Sequence, residues 1–321
     1  MTALSVVVVT WETRDLTLRC LEVLSGELTR DPALSADVHV VDNGSRDGTA
    51  PAVRERFPDV EVIELPENRG YAAGNNAGLA ACRGDVVLLL NTDAEITREA
   101  IDRALDLFAR EPGAGVVGLE LRHPDGRPQN AVHAFPGPLR ELAPRWLLEG
   151  LWPARFPSKR RPMESPAVVE AVLGAALFAR AEAVREVGPL DDGYFFFLEE
   201  TDWCWRMEDR GWQVWHLPGA PVRHGSGQSS KRPHPAPTRI EYHRSLYRFV
   251  ERHRGRAARN AMVAIRVVRT LGTALLLLPL APFSSRQRRR FAERAALLAW
   301  HARGRPATGG LREVAPATGS R

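Results

Sequence analysis

The chain has 321 residues, 44% of them hydrophobic and 26% charged, which suffices for one sizeable core plus an appendage. Three widely spaced cysteines (Cys20, Cys82, Cys204) form no CxxC pair, which argues against a disulfide framework or a thiolate zinc site. The net charge of +5 is uneven: residues 251–321 hold fifteen arginines and three acids, while the first 250 residues are net acidic.

The first elements alternate. LSVVVVT (4–10), DVHVVD (37–42), VEVIEL (60–65), DVVLLLN (85–91) and GVVGLEL (115–121) are nearly continuous Val/Ile/Leu runs, as expected of strands buried on both faces. Between them the spacing predicts helices over 14–28, 47–57, 71–82 and 98–110. This βαβα order predicts an α/β fold with a mostly parallel central sheet flanked by helices. No GxGxxG follows the first strand, so a dinucleotide fingerprint is absent. The apolar run Leu4 to Val9 is strand length with no basic stretch before it, which predicts a cytoplasmic rather than a secreted protein.

Residues 135–166 read as a proline-rich irregular excursion bearing Trp146, Trp152 and the basic cluster Lys159, Arg160 and Arg161. Strand character resumes over 168–180, and a helix is predicted from Glu199 to near Gly211. The composition breaks near residue 250, giving a body, 1–250, and a basic, partly amphipathic helical tail, 251–321, whose removal is expected to leave the body folded. Leu271 to Phe283 carries no charge, but Gly272, Pro279 and Pro282 interrupt it and about twenty apolar residues are needed to cross a bilayer, so it reads as interfacial. Phe291, Ala295, Leu298 and Ala302 recur at helical spacing near Trp300 and Arg288, Arg289, Arg290 and Arg294, the pattern of a helix lying on an anionic membrane surface. Few aromatics accompany these arginines, which disfavours nucleic acid as the partner.

Acids gather where strands end. Asp42 closes DVHVVD and Asp93 follows LLLN, and ligands of open α/β sheets bind beyond the carboxyl ends of the strands. Asp93 could hold a divalent metal; a turn aspartate and a helix cap are the bland alternatives. Farther on, Glu199, Glu200 and Asp202 follow the aromatic run Phe195, Phe196 and Phe197. Such crowding in an apolar wall raises at least one carboxyl pKa, which suits a general base, although acids also cap helix N-termini. His224, in VRHGSGQSS, is a candidate metal ligand beside Gly225, Ser226 and Gly227, whose backbone could approach phosphate.

VVVVTWE, VVDNGSRDGT, NRGYAAGNNAGL, LLLNTDAEI, GAALFAR, FFFLEETDWCWRMEDRGW and PGAPVRHGSG occur in the order found in family 2 glycosyltransferases of the GT-A fold. Over residues 4–250 the chain resembles this family, and within it the bacterial rhamnosyltransferase-like branch. The resemblance implies a nucleotide-diphospho-sugar transferase fold, an inverting mechanism and a divalent metal, Mg²⁺ or Mn²⁺. It implies that Thr10, Trp11, Glu12 and Asp42 begin the nucleotide pocket and that Asn68, Gly70 and Asn75 line the nucleotide-sugar. Asn91, Thr92 and Asp93 take the DxD position with Asp93 and His224 as metal ligands, and Glu200 takes the place of the catalytic base, flanked by Glu199 and Asp202. Asn91, Glu12 and Glu200 depart from the aspartate, asparagine and aspartate that are usual there. The implied donor is a thymidine or uridine diphosphate sugar, rhamnose among the sugars this branch suggests, and the acceptor a saccharide or lipid-linked glycan in cell-surface polysaccharide synthesis. A sugar nucleotidylyltransferase and a non-catalytic scaffold of the same fold are the alternatives.

Overall fold

The computed structural model describes residues 3–31, 33–152, 163–225 and 235–313; Lys159, Arg160 and Arg161 and the Ser226–Gly227 pair singled out above lie outside them. The chain order is β1 (Leu4–Thr10), α1 (Arg14–Leu28), β2 (Ala36–Asp42), α2 (Thr49–Arg56), β3 (Glu61–Glu64), α3 (Tyr71–Leu79), β4 (Val86–Asn91), β5 (Ala94–Glu95), α4 (Arg98–Arg110) and β6 (Ala114–Arg122). There follow β7 (Val132–His133), α5 (Pro138–Leu142), α6 (Arg145–Leu151), β8 (Ala167–Val168), β9 (Ala171–Val172), β10 (Ala176–Arg180), α7 (Ala181–Val187), α8 (Glu199–Asp209) and β11 (Gln213–His224). Two helices, α9 (Pro235–Leu277) and α10 (Ser285–Ala302), end the fold.

The main sheet runs in the order β3-β2-β1-β4-β10-β6-β11-β5, with β8 also on β11. β3, β2, β1 and β4 are parallel, β10 is antiparallel to both β4 and β6, and β11 again runs with β6. Six strands therefore point one way around the reversed β10, which bears out the α/β expectation and places their carboxyl ends along one edge. Alternate residues of each strand face opposite layers. Val6, Val8, Leu88 and Leu90 pack with Leu21, Leu24, Ile101 and Phe108 on one side. Val7, Val87 and Leu89 join Trp203, Phe249 and Trp300 on the other.

Within the excursion after Phe135, the described residues up to 152 include two short helices. Pro138 opens α5, a first-turn position where its missing N–H is no loss, and Glu141 of α5 accepts hydrogen bonds from Arg266 (2.8 Å) and Arg269 (2.5 Å) of α9.

The composition break at 250 falls inside α9, whose helical course is interrupted only at Gly255 (φ 82°). Leu246, Phe249 and Val250 before that break and Met262 after it are all buried in the second core layer. Trp300, read above as part of a surface-lying face, is 1% exposed. It stacks on Tyr247 at 6.4 Å and donates its indole N–H to the Pro306 carbonyl. This corrects the surface reading: a large aromatic with a partner for its N–H gains more from burial than from a wet interface. Leu271, Leu275, Leu276, Leu278, Leu280 and Phe283 remain exposed, as expected. Among the described residues, one helix, Pro235–Leu280, is by length and composition long and apolar enough to cross a membrane.

Candidate functional site

The parallel register sets the first part of the site. Thr10 lies opposite Asp42 and Val9 opposite Asn91, so the last residues of β1, β2 and β4 meet at the carboxyl edge. Hydrogen bonds then join the loops that follow. Asp42 accepts from the Ser45 amide (2.9 Å), and Glu12, held at φ 53°, accepts from the Arg46 amide (2.8 Å) while its own amide donates to Ser45. Trp11 lies half-buried between Thr10 and Glu12. Asn43 bridges to the next loop by donating to Asn68 Oδ1 and the Gly70 carbonyl, and Asn68 accepts from the Gly70 amide. Gly70 is required there: its φ is 90°, and a Cβ would run into the Phe195 carbonyl. Asn75 is buried one turn into α3, its amide donating to the Tyr71 carbonyl.

The second part is Asp93 and His224. β5 pairs with the end of β11, His224 opposite Ala94, which carries Asp93 to within 3.3 Å of His224 (Oδ1 to Nε2). Gln129, on the hairpin after β6, controls the ring. Its amide nitrogen donates to the His224 carbonyl (2.6 Å), so its oxygen faces His224 Nδ1 at 3.0 Å. In the neutral ring the proton therefore sits on Nδ1, and the Nε2 lone pair looks at the Asp93 carboxylate. With the ring neutral, Nε2 and the Asp93 carboxylate are two acceptors facing one another, an arrangement that suits a cation. Among the described residues no third His, Cys, Asp or Glu joins them, so other ligands would come from substrate or water. Asp93, His224 and Thr92 line a cavity of about 420 Å³ with Arg19, Glu95 and Arg223.

The third part is the start of α8. Phe197 (φ 74°) and Leu198 (φ 66°) both adopt the left-handed region, an uncommon strain for non-glycine residues that turns the chain sharply into the helix. The turn puts Glu199 and Glu200 in the first helical turn, where the helix dipole favours carboxylates. Burial nevertheless dominates: it pushes the Glu200 carboxyl up to about 7. Glu199 is raised well above the usual range by burial first and then by Glu200, and its Oε2 has no partner. Glu200 lines a second cavity of about 680 Å³.

Asp202 is elsewhere. It is fully buried and accepts from Arg206 Nε (2.8 Å), His253 Nε2 (2.7 Å) and the Tyr194 hydroxyl (3.3 Å). Burial alone would raise its carboxyl, but His253, Arg206 and Arg252 together hold it below the usual range. Its place is a tie between α8 and α9, and it does not line the Glu200 cavity.

Tyr71 connects the two acidic ends. Its hydroxyl lies 2.7 Å from Asn91 Oδ1 and 3.1 Å from the Gly174 carbonyl, and a Cβ at Gly174 would come within 3.5 Å of the Glu200 side chain. Burial raises the Tyr71 hydroxyl, with Glu199, Glu200 and Asp93 all adding to the shift. Sequence reading missed Tyr71 and Gln129. A tyrosine opening α3 directly after Gly70, inside the block NRGYAAGNNAGL, was a visible signal for the first; nothing local marks the second.

Residues 5–186 match glycosyl transferase family 2. The N-acetylglucosaminyl-diphospho-decaprenol L-rhamnosyltransferase of Mycobacterium tuberculosis is 32% identical over 236 residues, 68% of this chain and 76% of that one. Solved structures share the fold, two of them as follows. The mannosyltransferase PcManGT from Pyrobaculum calidifontis, in complex with GDP-Man and Mn²⁺, has a TM-score of 0.53 at 17% identity, covering 94% of this chain and 86% of that one. Mannosyl-3-phosphoglycerate synthase from Rubrobacter xylanophilus has a TM-score of 0.54 at 16% identity, covering 79% and 76%. With these matches and the sheet edge described above, the chain belongs to glycosyl transferase family 2, as a rhamnosyltransferase-like glycosyltransferase of the GT-A fold.

Proposed function

We propose that this glycosyltransferase moves a sugar, rhamnose by its likeness to the mycobacterial relative, from a thymidine or uridine diphosphate to a hydroxyl of a polyprenyl-diphosphate-linked saccharide, with inversion. One observation carries the reading. The acceptor pair Asp93 and His224 and the raised carboxyl of Glu200 lie on either side of Tyr71, whose hydroxyl meets Asn91 Oδ1 and the Gly174 carbonyl and feels the charge of both Asp93 and Glu200. A transferase needs these two functions side by side, one for the departing diphosphate and one for the attacking hydroxyl.

A divalent ion held by Asp93 and His224 would supply positive charge for the phosphate oxygens of the leaving group. The chain's own residues do the rest. Asn91 and Thr92 border the donor, with Tyr71 holding the Asn91 amide in place. Asp42, Glu12, Asn43 and Asn68 stiffen the loops around the nucleotide. Glu200 takes the proton of the acceptor hydroxyl. The freed oxygen attacks the anomeric carbon on the face opposite the diphosphate, which leaves with the electron pair of the broken bond. Burial keeps the Glu200 carboxyl proton-hungry, and Glu200 in turn helps to raise the buried Glu199 beside it. No sugar–enzyme bond forms.

The proposal includes a peripheral position at the cytoplasmic face of a membrane. The first half of α9 belongs to the core, and Arg266 and Arg269 are tied to Glu141. The uncharged, largely apolar run after Arg269 extends only to Phe283, fewer than the roughly 20 residues a crossing needs. Exposed leucines flanked by the arginines of α10 suit the interface of an anionic bilayer.

The test is incubation with a thymidine diphosphate-rhamnose donor, Mn²⁺ and an N-acetylglucosaminyl-diphospho-prenyl acceptor, with mass and NMR analysis of the product. Formation of the disaccharide lipid with an inverted anomeric linkage is expected. Retention of configuration would reject the direct-displacement role of Glu200.

A further inference from the structure

The cavity at Glu200 does not end there. Its wall of His133, Ala134, Pro136, Tyr242 and Arg266 is shared with a third cavity, of about 370 Å³, that runs beneath α5 and α6. Arg266 stands at the junction. It donates to Glu141 through one terminal nitrogen and lies over the Tyr242 ring at 5.8 Å, while its buried Nε has no partner. Arg239 lies on the same cavity wall, and Arg269 borders the far one. Arg239 is paired with Glu293, and Glu141 is shared by Arg266 and Arg269, so the junction itself has two arginines to one carboxylate, while Glu200 and Glu149 lie farther along the two cavities.

Beyond the junction the surface turns apolar on both sides. Leu142, Trp146, Leu147 and Leu151 of α5 and α6 are exposed, as are Leu271, Leu275 and Leu276 of α9. From Arg266 to Leu276 is ten residues of helix, or about 15 Å. Carboxylate, arginines and bare hydrocarbon thus follow one another along a connected course.

We infer that this course is the acceptor's binding site: a prenyl diphosphate sits with its phosphates at Arg239 and Arg266 and its chain between α5–α6 and the second half of α9, presenting the attached sugar to Glu200. The inference rests on the transferase reading above and adds to it the place and polarity of acceptor entry. It also makes the membrane contact a composite of two chain segments 120 residues apart, so that docking on the bilayer and capture of the acceptor are one event.

The experiment uses the full-length protein and a prenyl diphosphate without sugar, so it does not depend on donor chemistry. Farnesyl diphosphate, inorganic pyrophosphate and farnesol are titrated by calorimetry in EDTA, which silences any metal-bridged phosphate binding at Asp93 and His224. Farnesyl diphosphate should bind at least roughly tenfold tighter than either fragment, since each lacks one half of the site. Arg239→Gln and Arg266→Gln should each weaken it by roughly tenfold, the loss expected for a charge-assisted phosphate contact. A benzophenone-bearing prenyl diphosphate should label peptides within 138–152 and 266–283. Arg266→Gln also loses Glu141, so if it unfolds, Arg239→Gln and the labelling decide. Pyrophosphate equal to farnesyl diphosphate would remove the chain groove, farnesol equal to it would remove the arginines, and labelling confined to other peptides would overturn the site. Donor hydrolysis by the wild-type protein is measured apart. Its absence would sink the transferase reading, while prenyl diphosphate binding would still be decided by the titration.

Discussion

Replacing Glu200 by glutamine removes the base and leaves its shape. The amide fills the same space beside Gly174 but cannot take a proton, and loss of general-base help is typically worth about 10²–10⁴ in rate. The structure adds a pH signature. A carboxyl pushed from 4.5 to about 7 works as a base only when ionised, so wild-type turnover should climb as pH rises through about 7 and level off above it. The Gln variant should lack that limb. Stability should move the opposite way. The raised pKa means that the folded state holds this proton more tightly than the unfolded chain. The associated stability is full below pH 4.5 and is lost as pH rises toward 7, by up to ~3 kcal/mol. Glu200→Gln escapes that loss and should melt higher than wild type at pH 8 but not at pH 4. Steady-state rates and melting curves from pH 5 to 9 on wild type, Glu200→Gln and Glu199→Gln test both halves. A Glu200→Gln enzyme that turns over within a few fold of wild type, with the ascending limb intact, would refute the assignment. A dead Glu199→Gln beside it would move the base by one residue.

Asp93→Ala should abolish transfer and Mn²⁺-dependent nucleoside diphosphate binding, read by calorimetry, because Asn91 offers no second carboxylate; near wild-type binding would remove Asp93 as a ligand. Gln129→Leu frees the His224 ring and should weaken Mn²⁺ binding by roughly 10–100-fold, the usual effect of losing such a supporting partner, and unchanged affinity would make the Gln129 contact incidental. Trp300→Ala opens a hole against Tyr247 and should cost about 3–5 kcal/mol in urea unfolding, so a loss below 1 kcal/mol would mean that α10 is not part of the cooperative core. Vesicles with anionic lipid should float the protein less well as salt rises, and serines at Leu275, Leu276 and Phe283 should remove the component that salt leaves; flotation unaffected by both would place the contact elsewhere.

The parallel half of the fold was legible because it is local. Continuous Val/Leu runs and helical spacing set β1 to β4 and α1 and α4 almost to the residue. Asp93, Glu200 and His224 were legible through the blocks around them. What remained hidden depends on contacts distant in sequence. Asp202 sits in the same tetrapeptide as Glu199 and Glu200, and only helix geometry, turning it toward His253 fifty-one residues on, separates it from them. Gln129 meets His224 across ninety-five residues. Arginine content made 251–321 read as a separate tail, yet composition says nothing of Met262, Leu297 and Trp300, whose apolar faces complete the core.

The most direct test of metal-dependent transfer is donor cleavage by the full-length protein. Thymidine-, uridine- and guanosine-diphosphate sugars are incubated with and without Mn²⁺, beside Asp93→Ala, and nucleoside diphosphate is quantified with the acceptor present. The expected result is Mn²⁺-dependent, acceptor-stimulated release from a thymidine or uridine diphosphate sugar, absent in Asp93→Ala. No release from any donor, or release of pyrophosphate from a nucleoside triphosphate and a sugar phosphate instead, would contradict it.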